Sequence, residues 1–139
     1  MYYNVDLLAI LAAAFGSLVL GWLWYSPKVF GTAYQKLQPH IKREVSPEQM
    51  KKEMIRGMIV MFIANMIQAS VLYFLVFITR AGSVAQLMTI VFLTWAGFNL
   101  TGISVDTVWK GQSPKLIIID GFFSLFSSVL MMFILLLIL

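Results

Sequence analysis

Residues 57–79 run for 23 positions without an Asp, Glu, Lys or Arg. At 1.5 Å per residue such a run makes a helix of about 35 Å, enough to cross a hydrocarbon core of about 30 Å. Three more apolar stretches of comparable length follow or precede it, at about 5–25, 84–108 and 116–139. Backbone groups in lipid must satisfy one another locally, so helices are expected and open β-structure is not. The pattern predicts an all-α fold, an integral membrane four-helix bundle in one transmembrane domain over 1–139. The second helix is expected to begin early, at about 47, and to extend into the cytoplasm; residues 26–46 form a cytoplasmic loop. Composition agrees: 60% of residues are hydrophobic and 12% charged, against about half and a quarter in soluble domains.

Charge sets the expected orientation. Lys28, Lys36, Lys42, Arg43, Lys51, Lys52, Arg56, Lys110 and Lys115 fall on one side, nine of the ten cations, and Arg80 falls on the other. The positive-inside rule then places both termini outside and the basic loops in the cytoplasm of a cell (inner) membrane protein. Residues 1–8 carry no cation, so a cleavable signal peptide is not expected. The net charge of +4 suits anionic headgroups at the basic cytoplasmic loop, and membrane lipids are the expected partners. No nucleic-acid motif accompanies the charge. With no cysteine, disulfides, thiolate metal sites and cysteine nucleophiles are excluded.

The first helix closes on Gly21-Trp22-Leu23-Trp24-Tyr25-Ser26-Pro27-Lys28-Val29-Phe30-Gly31. Aromatic rings settle at headgroup depth, Pro27 stops the helix, and Gly31 lets the chain turn along the surface. Trp24, Tyr25, Ser26 and Lys28, with Trp109 and Lys115, are the expected lip of a cytoplasmic-side cavity; an interfacial anchor is the simpler reading. Ala9, Ala13, Ser17 and Gly21 recur every four residues, a small-residue ridge suited to close helix packing. Phe30, Tyr34, Leu37 and Ile41 could share one face of an interfacial helix, although Pro39 interrupts it. His40 lies among Lys36, Lys42 and Arg43 and reads as a solvated loop residue. Ser46-Pro47-Glu48-Gln49 is a helix start, with serine at the cap and proline at the first helical position.

Polar residues inside the spans need a partner or a purpose. Asn65 lies about 13 Å in from Arg56, and Asn99 about 16 Å in from Lys110, by helical rise. Gln68 follows Asn65 by three. Trp95, Asn99, Gly102, Asp106 and Trp109 follow 4, 3, 4, 3 spacing, one stripe of an α-helix. Asp106 and Asp120 flank the same short turn. Asn65, Gln68, Asn99, Asp106 and Asp120 are therefore the expected polar cavity, suited to proton or cation handling and equally to structural glue or a salt-bridged turn. No phosphate loop, zinc-binding helix or serine elbow is present. No cofactor, metal site or catalytic residue is expected.

Trp24-Tyr25-Ser26-Pro27 with Phe30-Gly31, then Trp95-Ala96-Gly97-Phe98, and Trp109-Lys110-Gly111 running into Lys115-Leu116 and Ile119-Asp120, resemble the small bacterial integral membrane proteins grouped as domain of unknown function 1761. The resemblance covers nearly the whole chain. It implies a four-helix membrane protein and supplies no activity. That family often has an acid where Lys110 stands and Asn where Asp120 stands. A remoter likeness is to four-helix membrane enzymes of eicosanoid and glutathione metabolism. Asn65 and Gln68 fit part of their second-helix spacing, but Met61 stands where their arginine belongs. The expected function is that of a small homo-oligomeric transporter or channel-like protein for protons or small solutes. The alternatives are a structural or partner-binding protein, or a lipid-binding or glutathione-transferase-like membrane enzyme. Enzymatic activity is the less expected outcome.

Overall fold

Asp6 opens the first helix by accepting the backbone N–H of Ala9 at 3.2 Å, which satisfies one of the free donors of a helix start. The computed structural model describes residues 6–38 and 46–138. Helices α1 (Leu7–Trp24), α2 (Gly31–Lys36) and α3 (Pro47–Thr79) are followed by a third span in three parts. Those parts are α4 (Val84–Thr94), a π-helical segment (Trp95–Leu100) and α5 (Thr101–Trp109); α6 (Lys115–Ile138) closes the chain. Among the described residues four helices are long and apolar enough to cross a membrane: Leu7–Trp24, Pro47–Thr79, Val84–Trp109 and Lys115–Ile138.

Local chemistry explains the boundaries. Ser46 caps α3, with its hydroxyl accepting from the Gln49 N–H at 3.3 Å, and Pro47 occupies the first position. Arg80 ends α3 in the left-handed region at φ 51°. Ser83 and Gln86 then form a reciprocal capping box that starts α4. Gly111, at φ +65°, makes the tight turn between α5 and α6, where an L side chain would be strained. The interfacial helix is shorter than the Phe30, Tyr34, Leu37 and Ile41 spacing suggests: it stops at Lys36. Ile41 and His40, with Pro39, Lys42 and Arg43, lie outside the described residues.

Successive spans are antiparallel. The half that holds the N-terminus of α1 and the C-terminus of α6 has the hydrophobic core: Ala9, Ile10 and Ala13 of α1, Ala69 and Leu72 of α3, Leu87 and Val91 of α4, and Met131, Met132 and Leu135 of α6. α1 packs on α3 and α6, and the π segment and α5 pack on α6. In the other half α3 draws away, and every residue from Pro47 to Val60 is exposed. The two halves therefore differ: four helices close together in one, an open arrangement in the other.

Candidate functional site

The chain leaving α1 folds back on itself. Phe30 donates its N–H to the Trp24 carbonyl at 3.0 Å and Gly31 donates to Ser26 at 2.9 Å. A Cβ on Gly31 would lie 2.3 Å from the Tyr25 carbonyl oxygen, so this glycine is needed for close backbone approach and not for a left-handed turn. The fold-back stacks Phe30 on Trp24 at a centroid distance of 4.6 Å, and Phe126 of α6 lies 5.7 Å from the same indole. Trp24 Nε1 is buried there without an acceptor.

Tyr25 reaches from the end of α1 to α6, where its hydroxyl donates to Asp120 Oδ1 at 2.5 Å. Tyr34 of α2 packs edge-on against Tyr25 at 5.2 Å, and Phe123 packs at the same distance. Gln38 donates to the Tyr34 hydroxyl at 3.0 Å. Burial first, and then the Asp120 hydrogen bond and charge, push the Tyr25 phenol well above its ordinary range. Burial first, then the Asp120 charge, also raise Tyr34. This corner pins α2 across the C-terminal end of α1 and the N-terminal part of α6.

Of the expected lip, Trp24 and Tyr25 belong to the corner. Ser26 turns inward to donate to the Leu23 carbonyl at 2.7 Å. Lys28 and Lys115 are exposed, and Trp109 is 86% exposed; the structure does not draw these three into a common site with Tyr25. Ala9, Ala13, Ser17 and Gly21 are all buried along α1, where Ser17 and Ser127 of α6 share a hydrogen bond.

The five residues expected around one polar cavity separate into four groups. Asn65 is 7% exposed and faces α1, donating to the Ala14 carbonyl at 3.4 Å. Asp106 and Asp120 do not meet. Asp106 is 62% exposed and pairs with Lys110 at 2.8 Å, a hydrogen bond that raises the Lys110 pKa, whereas Asp120 takes the Tyr25 hydroxyl. The physical reason is the π segment. A wider turn absorbs an additional residue, about 100° of helical phase, so the stripe from Trp95 to Trp109 breaks at Leu100. Trp95 and Asn99 face α6, and Asp106 and Trp109 turn outward.

Gln68 and Asn99 do come together. With Val71, Leu72, Leu75, Thr94 and Phe98 they line a cavity of about 350 Å³ between α3 and the third span. Both amides are held by serines of α6. Gln68 Nε2 donates to Ser128 Oγ at 2.9 Å, and Ser128 passes its own proton to the Ser124 carbonyl at 2.9 Å. Since Ser128 has already donated, it must accept from Gln68, and the Gln68 carbonyl oxygen is left as a free acceptor. Asn99 Nδ2 donates to Ser124 Oγ at 2.7 Å, which leaves a second carbonyl oxygen. Among the described residues neither oxygen has a donor. Trp95 Nε1, donating to the Gly121 carbonyl at 2.8 Å, fixes the π segment on α6. One side of the cavity is open: Val71 is 50% and Phe98 76% exposed.

Residues 8–136 match the family described as "Protein of unknown function (DUF1761)". The chain belongs to that family. No curated protein and no solved structure matches it. The matched residues of this DUF1761 member include both the Tyr25–Asp120 corner and the Gln68–Asn99 cavity. Val71, Leu75, Thr94 and Phe98 were not legible as cavity residues from the sequence, because their meeting depends on the π segment and on how far α3 stands from it. Among the described residues no group of three His, Asp or Glu side chains could hold a metal ion.

Proposed function

We propose that this DUF1761 member is a multi-pass inner-membrane protein, both termini outside, that takes a hydroxyl-headed, single-chain amphiphile from the bilayer into the cavity between α3 and the third span. The observation that carries this reading is the pair of amides, Gln68 and Asn99, lining an otherwise largely apolar cavity, each with one N–H committed to Ser128 or Ser124 and its carbonyl oxygen left as an acceptor. Two acceptors beside apolar walls suit a donor such as an alcohol, with its hydrocarbon along Val71, Leu72, Leu75 and Phe98. A volume of about 350 Å³ falls at the small end of ligand sites, which run from about 300 to 1,000 Å³. Exposed Val71 and Phe98 make the mouth lateral, so the ligand arrives from lipid.

Native mass spectrometry of protein extracted in mild detergent tests this. The wild type is expected to carry a bound amphiphile, and Val71→Trp, which blocks the mouth and spares the amides, is expected to be bare. Bare wild-type protein, or an adduct that survives Val71→Trp, defeats the reading. Orientation is tested by labelling from the periplasm: a cysteine at Ser83 should react and one at Ser46 should be protected.

Transport of protons or small solutes by a homo-oligomer is a second reading, favoured by one observation, the contact between the Tyr25 phenol and the Asp120 carboxyl. Intramembrane acids are default candidates for such work. In proteoliposomes Asp120→Asn should then abolish flux while the bundle still assembles.

A further inference from the structure

A groove of about 320 Å³ runs along one face of α3, lined by Lys52, Ile55, Arg56, Ile59 and Val60. Lys52, Arg56 and Ile59 to Val60 follow i, i+4, i+7 and i+8 spacing, so they form a single stripe. Ile55, Ile59 and Val60 are 47%, 56% and 60% exposed, and no neighbour among the described residues buries this face of α3. Glu48 stands one turn before Lys52, yet among the described residues neither Lys52 nor Arg56 has an ion-pair partner. Two free cations thus head an apolar track.

Position along α3 says what they meet. From Gly57 to Thr79 no residue is charged, so in a bilayer Arg56 stands at the edge of the hydrocarbon. Lys52 lies one turn further out, about 6 Å, at headgroup depth. Arginine binds phosphate bidentately and lysine adds a point charge. We infer that Lys52 and Arg56 bind the phosphate of an anionic phospholipid whose acyl chain lies along Ile55, Ile59 and Val60. The inference rests on the membrane reading above and not on the amphiphile cavity. Charge complementarity selects the occupant: a zwitterionic head brings its own ammonium to a site that already holds two cations, whereas an anionic head does not.

The test uses the full chain in nanodiscs of phosphatidylcholine doped with phosphatidylglycerol, counting phosphatidylglycerol retained per protein after extraction by native mass spectrometry. Each cation's charge-assisted contact to the bound phosphate is worth about fivefold or more, so Lys52→Gln/Arg56→Gln should cut retention by about 25-fold. Lys28→Gln/Lys36→Gln removes the same charge elsewhere and should change it by less than about twofold, because general attraction to an anionic surface does not hold a lipid on the extracted protein. Equal losses in the two doubles would reduce the effect to general attraction and overturn the site. Displacement by free glycerol phosphate as effectively as by phosphatidylglycerol would also overturn it, because the apolar track would then contribute nothing. Val71→Trp should leave the phosphatidylglycerol count unchanged, which separates a failure here from a failure of the cavity. Protein that will not enter nanodiscs would end both.

Discussion

The two halves of this bundle are built differently. Near the N-terminus of α1 and the C-terminus of α6, small residues let backbones approach. Ala9, Ala13 and Ser17 are fully buried, and Met131, Met132 and Leu135 fill the space opposite. Near the loops, bulk and aromatic rings replace the small ridge. Trp24, Tyr25, Phe30, Tyr34 and Phe123 close one corner, while α3 departs with both faces open. Without a hydrophobic force between helices in lipid, packing quality and interhelical hydrogen bonds decide which helices stay together. The comparison teaches that hydropathy places a span, and side-chain volume decides its neighbours. Small size alone is insufficient: a Cβ on Gly97 or Gly102 would meet nothing within 4 Å.

The largest break in this comparison should come from Ala13→Leu, which overfills the closed half. We expect a loss of about 1–3 kcal/mol or outright failure to assemble, read by denaturant titration in bicelles. The same side chain introduced by Gly102→Leu should be close to neutral; equal costs would erase the distinction between the halves. Gly31→Ala comes next, at about 1–2 kcal/mol, because the added carbon meets the Tyr25 carbonyl. A red shift of tryptophan fluorescence should report the loosened Trp24–Phe30 stack.

Tyr25→Phe removes the donor to Asp120 and should cost about 1–2 kcal/mol. Its pH signature sharpens the assignment. The folded-state phenol is raised, so its contribution is fully present below the ordinary tyrosine value of about 10 and is lost as pH climbs through the folded value. Absorbance of tyrosinate should lag in the wild type and lose that late phase in Tyr25→Phe. The smallest effect is expected for Ser128→Ala, about 0.6 kcal/mol, with a looser Gln68 and weaker amphiphile retention. A large destabilisation there would mean that Gln68 and Ser128 hold the bundle together and do not chiefly present a binding group.

The helical architecture was legible because its causes are local. Uncharged runs of span length, Ser46-Pro47 at the start of α3 and Pro27 at the end of α1 act within a few residues of themselves. Of the candidate site, the two amides were legible; its apolar walls and its grouping were not. Gln68 and Asn99 stood out as costly polar residues, but pairing Asp106 with Asp120 assumed uninterrupted α-helical phase. The π segment breaks that phase, and Trp95-Ala96-Gly97-Phe98-Asn99-Leu100 carries no periodic signal that would announce it.

What the sequence by itself determined is where the polypeptide must be helical, since backbone polarity and run length leave no other choice for such apolar stretches. Tertiary structure decided which polar side chains meet. Helical phase, the reach of Tyr25 to Asp120, and the separation of α3 from the π segment depend on atoms distant in the chain. A one-residue change of phase moves a carboxylate from the interior to the surface without altering a single hydropathy value.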